Sequence, residues 1–129
     1  MLSFLENHTS RIYAVLRIVS GVLFACHGAQ KVFGVLGGAG GSGHGAQLLS
    51  WYGVAGVIEL VGGVLIAIGL LTRYAAFISS GQMAVAYFKV HALGGFWPIQ
   101  NGGELAVLYC FLFLYIAVSG TGRWAVQSD

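Results

Sequence analysis

The side chains with chemistry to offer sit inside or at the ends of apolar runs: His27, Lys31, Glu59, Lys89, His91 and Glu104, with Asn101 beside the last. Glu59 poses the sharpest problem. It is the one charged residue in Trp51–Leu71, WYGVAGVIELVGGVLIAIGLL, a run that as a helix is about 30 Å long, the thickness of a bilayer's hydrocarbon core. A carboxylate at that depth costs at least ~2.5 kcal/mol on the translocon scale, so it needs a basic partner, a proton or a wet cavity. Imidazole and carboxylate groups can exchange protons with a bound ligand, and an ammonium can stabilise negative charge developing on it.

Other chemistries lack their signatures. Neither H-E-x-x-H nor paired C-x-x-C spacing occurs, so no metal site is expected, and no Ser-His-Asp or Cys-His constellation is legible. A haem between His27 and His91 is disfavoured because their depths differ by about one turn or more. Gly38-Ala39-Gly40-Gly41-Ser42-Gly43 matches G-x-G-x-x-G formally. No strand pattern precedes it, and the expected structure is a flexible loop or lid. Cys26 and Cys110 lie inside apolar runs. They read as small buried hydrophobes, with a redox pair as the alternative.

The elements that must position these groups follow from composition. Of 129 residues, 57% are hydrophobic and 8% charged, where a soluble domain carries roughly a quarter charged residues. The expected class is all-α: an integral membrane four-helix bundle in one domain, residues 1–129, with spans near 12–33, 51–71, 74–91 and 102–119. Thr72-Arg73 is so short a link that the second and third spans must form an antiparallel hairpin. Arg11, Arg73 and Arg123 then share one side. The positive-inside rule makes that side cytoplasmic, with both termini, in an up-down multi-pass protein of a bacterial inner membrane. A net charge of +2 without a basic cluster gives no reason to expect nucleic acid. The bilayer is the expected surrounding, with a membrane-protein partner or a second copy packing on small-residue faces.

On the first span Arg17, Ser20, Gly21, Phe24, His27, Gly28 and Lys31 recur at helical spacing, and on the second Gly56, Glu59, Gly62 and Gly63 do the same. Counted from the outer edge, His27 lies about six residues deep and Glu59 about eight, an offset of about 3 Å. Lys31, Lys89, His91, Asn101 and Glu104 fall within about one turn of that edge. Antiparallel packing therefore predicts one polar layer holding His27, Lys31, Glu59, Lys89, His91, Asn101 and Glu104. The null for this layer is an ion-pair network that fixes helix register. Arg17, nearer the inner edge, is expected to snorkel to the cytoplasmic headgroups, with a reach toward Glu59 as the alternative. Gln82 is expected to hydrogen-bond across helices.

The combination resembles the DoxX family of small bacterial membrane proteins. It runs through Arg17-Ile18-Val19-Ser20-Gly21, His27-Gly28, Lys31, Glu59-Leu60-Val61-Gly62-Gly63, Thr72-Arg73, His91, Gly95-Phe96-Trp97, Asn101-Gly102-Gly103-Glu104-Leu105 and Gly120-Thr121-Gly122-Arg123-Trp124. The resemblance implies a four-helix membrane bundle. Family names refer to a terminal quinol oxidase subunit and a thiosulfate:quinone oxidoreductase, which implies a quinone-like ligand near His27, Lys31, Glu59, His91 and Glu104. The expected function is that of a quinone-associated oxidoreductase subunit. Alternatives are a non-catalytic scaffold subunit of a larger membrane complex and a carrier for protons or a small solute.

Overall fold

The computed structural model describes residues 2–129 and contains six helices and, among the described residues, no strand. In chain order they are α1 (Ser3–Glu6), α2 (Thr9–Phe33), α3 (Trp51–Ile68), α4 (Thr72–Ala86), α5 (Pro98–Asn101) and α6 (Glu104–Ser119). α4 continues through a π-helical stretch, Tyr87–His91, and a short 3-10 turn at Ala92–Gly94. Each boundary has a local cause. α3 starts where Ser50 Oγ accepts the Gly53 N–H at 3.1 Å, satisfying one of the free donors of its first turn. It stops at Gly69, whose φ of 74° is left-handed and inexpensive only for glycine. α6 begins with Glu104, an acid where the helix dipole favours one.

Long-range hydrogen bonds define how the four long helices alternate. At one end Tyr13 Oη, near the start of α2, donates to Gly120 O just past α6 at 2.6 Å. There too Arg73, at the start of α4, donates to Ala117 O and Val118 O at 3.0 and 2.8 Å. Arg17 of α2 reaches Ile66 O near the end of α3 at 3.0 Å. Neighbouring helices therefore run in opposite directions. α2 packs along α3, α4 along α6, and α3 meets α4 through the Gly69–Leu71 hairpin.

Polarity is distributed inside out. Arg17, Ser20, Glu59, Thr72, Ser79, Ser80 and Gln82 are buried, whereas Val19 and Leu23 of α2, Val57 and Val61 of α3, Phe77 and Ile78 of α4, and Leu108 and Phe111 of α6 are exposed. Aromatic packing of Phe24 against Tyr109 and Phe113, with centroids 5.2 and 4.7 Å apart, links α2 to α6 through the centre. α2 and α3 are long and apolar enough to cross a membrane. α6 is apolar but has 16 residues, and α4 gives way at Ala86 to the π-helical stretch.

Arg17 corrects the sequence-based expectation. It does not extend to an interface: it is fully buried, and its guanidinium donates to the carbonyls of Thr121, Arg123 (2.7 Å) and Trp124 (2.7 Å) as well as Ile66. The tail after α6 turns back under the helices, where Val126 N–H meets Ile68 O at 2.9 Å and Gln127 N–H meets Gly69 O at 3.1 Å. Arg17 satisfies carbonyls that this irregular segment would otherwise bury without partners. The reach toward Glu59 does not occur either.

Candidate functional site

At the opposite end, where α2 and α4 finish and α3 and α6 begin, the helices part around a cavity of about 230 Å³. α2 contributes Phe24, His27 and Lys31, and α3 contributes Trp51, Tyr52, Ala55 and Glu59. From α4 and its π-helical end come Gln82, Met83, Ala86, Val90 and His91, while Leu105, Ala106 and Tyr109 come from α6. Lys31 Nζ donates to Glu59 Oε1 at 2.7 Å, with Glu59 only 2% exposed. Gly56 makes this pairing possible. A Cβ there would sit 2.6 Å from Lys31 Cβ, so only glycine lets the lysine lie across α3 and reach the acid three residues further on.

The other oxygen of that carboxylate, Glu59 Oε2, is buried without a hydrogen-bond partner, and so are both amide atoms of Gln82. Gln82 is 7% exposed. Orphaned buried polar atoms are uncommon, because each forfeits hydration for nothing in return. Here they belong to two side chains that line one cavity. Around them, the His27 ring meets Tyr109 edge-on at 6.1 Å between centroids, and Lys31 Nζ lies 5.4 Å from the centroid of Tyr52.

The expected polar layer separates into two groups. His27, Lys31, Glu59 and His91 come together on the cavity wall. Lys89, Asn101 and Glu104 do not. Lys89 Nζ sits 4.6 Å above the Trp51 ring, so it braces a wall residue by a cation–π contact without lining the cavity. The Asn101 amide nitrogen donates to Gly95 O at 2.8 Å and to Tyr87 Oη at 3.1 Å, and its oxygen accepts the Gly103 N–H at 2.8 Å, which ties the connection before α6. Glu104 is exposed at the start of α6. Depth alone put these residues level with the others, and their positions around the helix axis turn them away.

Gln82 is the residue that sequence reasoning misplaced. It makes no cross-helix hydrogen bond. The signal that could have found it is its azimuth, since Gln82, Ala86 and Val90 repeat every four residues toward the cavity. Cys26 and Cys110 are free, half-buried thiols. Cys110 Sγ lies 3.6 Å from Ser80 Oγ, whereas Cys26 lines an apolar groove between α2 and α3 with Val22, Ala25, Leu60 and Val64.

Residues 12–92, more than half of the chain and including His27, Lys31, Glu59, Gln82 and His91, match the DoxX family. The chain belongs to the DoxX family. An uncharacterised protein of Haemophilus influenzae is 46% identical over 131 aligned positions, covering 96% of this DoxX chain and 94% of the relative. An uncharacterised membrane protein of Mycobacterium tuberculosis is 28% identical over 87% of this chain and 77% of its own length. A second uncharacterised Haemophilus influenzae protein aligns over 62% of the chain at 29% identity. No solved structure matches. The DoxX protein is thus a membrane protein whose relatives carry no named activity, and its chemistry must be argued from the cavity.

Proposed function

We propose that this DoxX protein is a single membrane domain that crosses the bacterial inner membrane four times as an antiparallel bundle, both termini cytoplasmic. On this reading it binds the ring of a quinone or quinol in the polar cavity, beneath the outer leaflet, as a redox-linked subunit. The exposed apolar side chains on all four long helices suit a lipid surrounding. Arg11, Arg73 and Arg123 flank the end away from the cavity, which the positive-inside rule assigns to the cytoplasm.

The observation that carries the ligand assignment is the lining itself: Phe24, Trp51, Tyr52 and Tyr109 surround an ion pair and an unpartnered carboxamide. A cavity of about 150 Å³ accommodates benzene. One of about 230 Å³ has room for a substituted ring and its oxygens. The quinone–quinol couple supplies the two-electron chemistry. Glu59 and His27 take up or release protons at a ring oxygen, and Lys31 stabilises negative charge there while holding Glu59 in place. No group of three His, Cys, Asp or Glu side chains converges as a metal site among the described residues. These residues therefore manage protons and orientation, and the electrons pass to or from a membrane-protein partner.

Purified protein in lipid nanodiscs, titrated with short-chain benzoquinone and naphthoquinone analogues, tests the proposal. Saturable quenching of tryptophan fluorescence is expected, with at least a tenfold loss of affinity in Ala86→Phe, which fills the cavity from one wall. Absence of saturable binding, or binding indifferent to that substitution, overturns it.

A further inference from the structure

The orphaned atoms have a sign as well as a number. Paired to Lys31, Glu59 is a carboxylate, and a carboxylate oxygen only accepts hydrogen bonds. Whichever way its amide is turned, Gln82 adds one acceptor and one NH₂ donor. The cavity wall therefore holds two unmet acceptors, Glu59 Oε2 and the Gln82 oxygen, against one donor group. A ligand that satisfies the wall must bring hydrogens to it.

A quinone has only carbonyl oxygens, which accept. It can take the Gln82 NH₂ but leaves both acceptors unmet, and its oxygens crowd the carboxylate. A quinol hydroxyl both donates and accepts, so the same ring in its reduced form can donate to Glu59 Oε2 or Gln82 Oε1 and accept from Gln82 Nε2. A hydrogen bond to a charged acceptor is about twice as strong as a neutral one, which makes the donation to Glu59 the decisive contact. An ammonium ligand also carries donors. The Lys31–Glu59 pair is already neutral as a unit, however, and a buried cation would arrive without a counter-charge.

Resting on the reading of the cavity as a quinone–quinol site, we propose that it selects the reduced, hydroxyl-bearing form, with Glu59 and Gln82 as the residues that discriminate. Tighter binding of the quinol raises the midpoint potential of the bound couple, by about 30 mV for each tenfold difference in affinity. The site thus draws reduced carrier from the membrane and makes it a weaker reductant while bound.

The test measures dissociation constants for one short-chain benzoquinone and for the same molecule as its hydroquinone, kept reduced under anaerobic conditions, on the protein in nanodiscs. The hydroquinone is expected to bind at least tenfold tighter. Glu59→Gln places an NH₂ donor where the acceptor-only oxygen stood, and should collapse the ratio by weakening the hydroquinone and tightening the quinone. Gln82→Met removes both amide atoms at similar volume and leaves the ion pair intact. It should lower the ratio at least threefold even if Glu59→Gln fails to fold. Equal affinities, or a preference for the quinone, overturn the selectivity while leaving a quinone-binding function standing. Failure of both forms to bind overturns the selectivity and the proposed function together.

Discussion

At the scale of single residues, the buried ion pair is the most exacting interaction in the molecule. Lys31 and Glu59 are 20% and 2% exposed, so each would be a poorly hydrated charge without the other. Breaking a buried pair from one side commonly costs about 3–5 kcal/mol, whereas replacing both partners with apolar groups is often close to neutral. Lys31→Met is therefore expected to destabilise the protein by about 3 kcal/mol in reversible denaturant unfolding from detergent micelles, and Lys31→Met with Glu59→Leu to recover most of that loss. If the double variant is as unstable as the single one, the pair is held by packing rather than by charge. The sequence made the meeting of His27, Lys31, Glu59 and His91 legible, because an acid within an apolar run demands company and helical rise fixes which residues lie level. It did not reveal that Gln82 would be left without partners. That depends on the width of the gap between helices, which spacing along the chain does not encode. Arg17 was misread for a related reason: its carbonyl partners belong to an irregular tail with no periodicity to betray its path.

At the scale of elements, glycine sets how closely α2 and α3 approach, and so where Lys31 meets Glu59. A Cβ on Gly21 would lie 2.5 Å from Ala67 N and 2.7 Å from Gly63 O, both backbone atoms that cannot swing aside. Gly21→Ala must therefore push the helices apart, and overpacking of this kind typically costs about 1–3 kcal/mol. Gly81, in α4, has nothing within 4 Å of its added Cβ. There the same change relieves only the poor helix propensity of glycine, a gain of up to about 1 kcal/mol. The pair makes a controlled comparison: Gly21→Ala is expected to lower the unfolding midpoint, and Gly81→Ala to leave it unchanged or raise it. A loss of equal size at both positions would show that chain flexibility, rather than helix contact, is what glycine provides. The helix positions themselves were readable to within a few residues, since long apolar runs bounded by Gly and Ser leave little choice. The π-helical stretch at Tyr87–His91 was not, because an extra residue in one turn leaves no trace in composition.

At the scale of the whole molecule, polar groups inside and apolar groups outside suit a chain solvated by lipid, and the direction in which it sits decides which compartment exchanges protons with the cavity. Tyr13, Arg73 and the tail after α6 gather at the end opposite to Lys31, Trp51 and His91. Whichever side holds the termini, the cavity opens toward the other. Three arginines near the first end and none near the second favour a cytoplasmic location for the termini. In a background with Cys26→Ala and Cys110→Ala, a membrane-impermeant thiol reagent added to intact cells is expected to label Ser42→Cys, in the Gly-rich connection, and to spare Thr9→Cys and Gln127→Cys until the membrane is permeabilised. The reverse pattern would place His27 and Glu59 under the cytoplasmic leaflet, and protons released at the ring would then return to the cytoplasm. Labelling of Thr9→Cys and Gln127→Cys from opposite sides would mean an odd number of crossings. One long helix would then lie outside the bilayer core, with α6, at 16 residues, the first to suspect because its length reaches only about 24 Å.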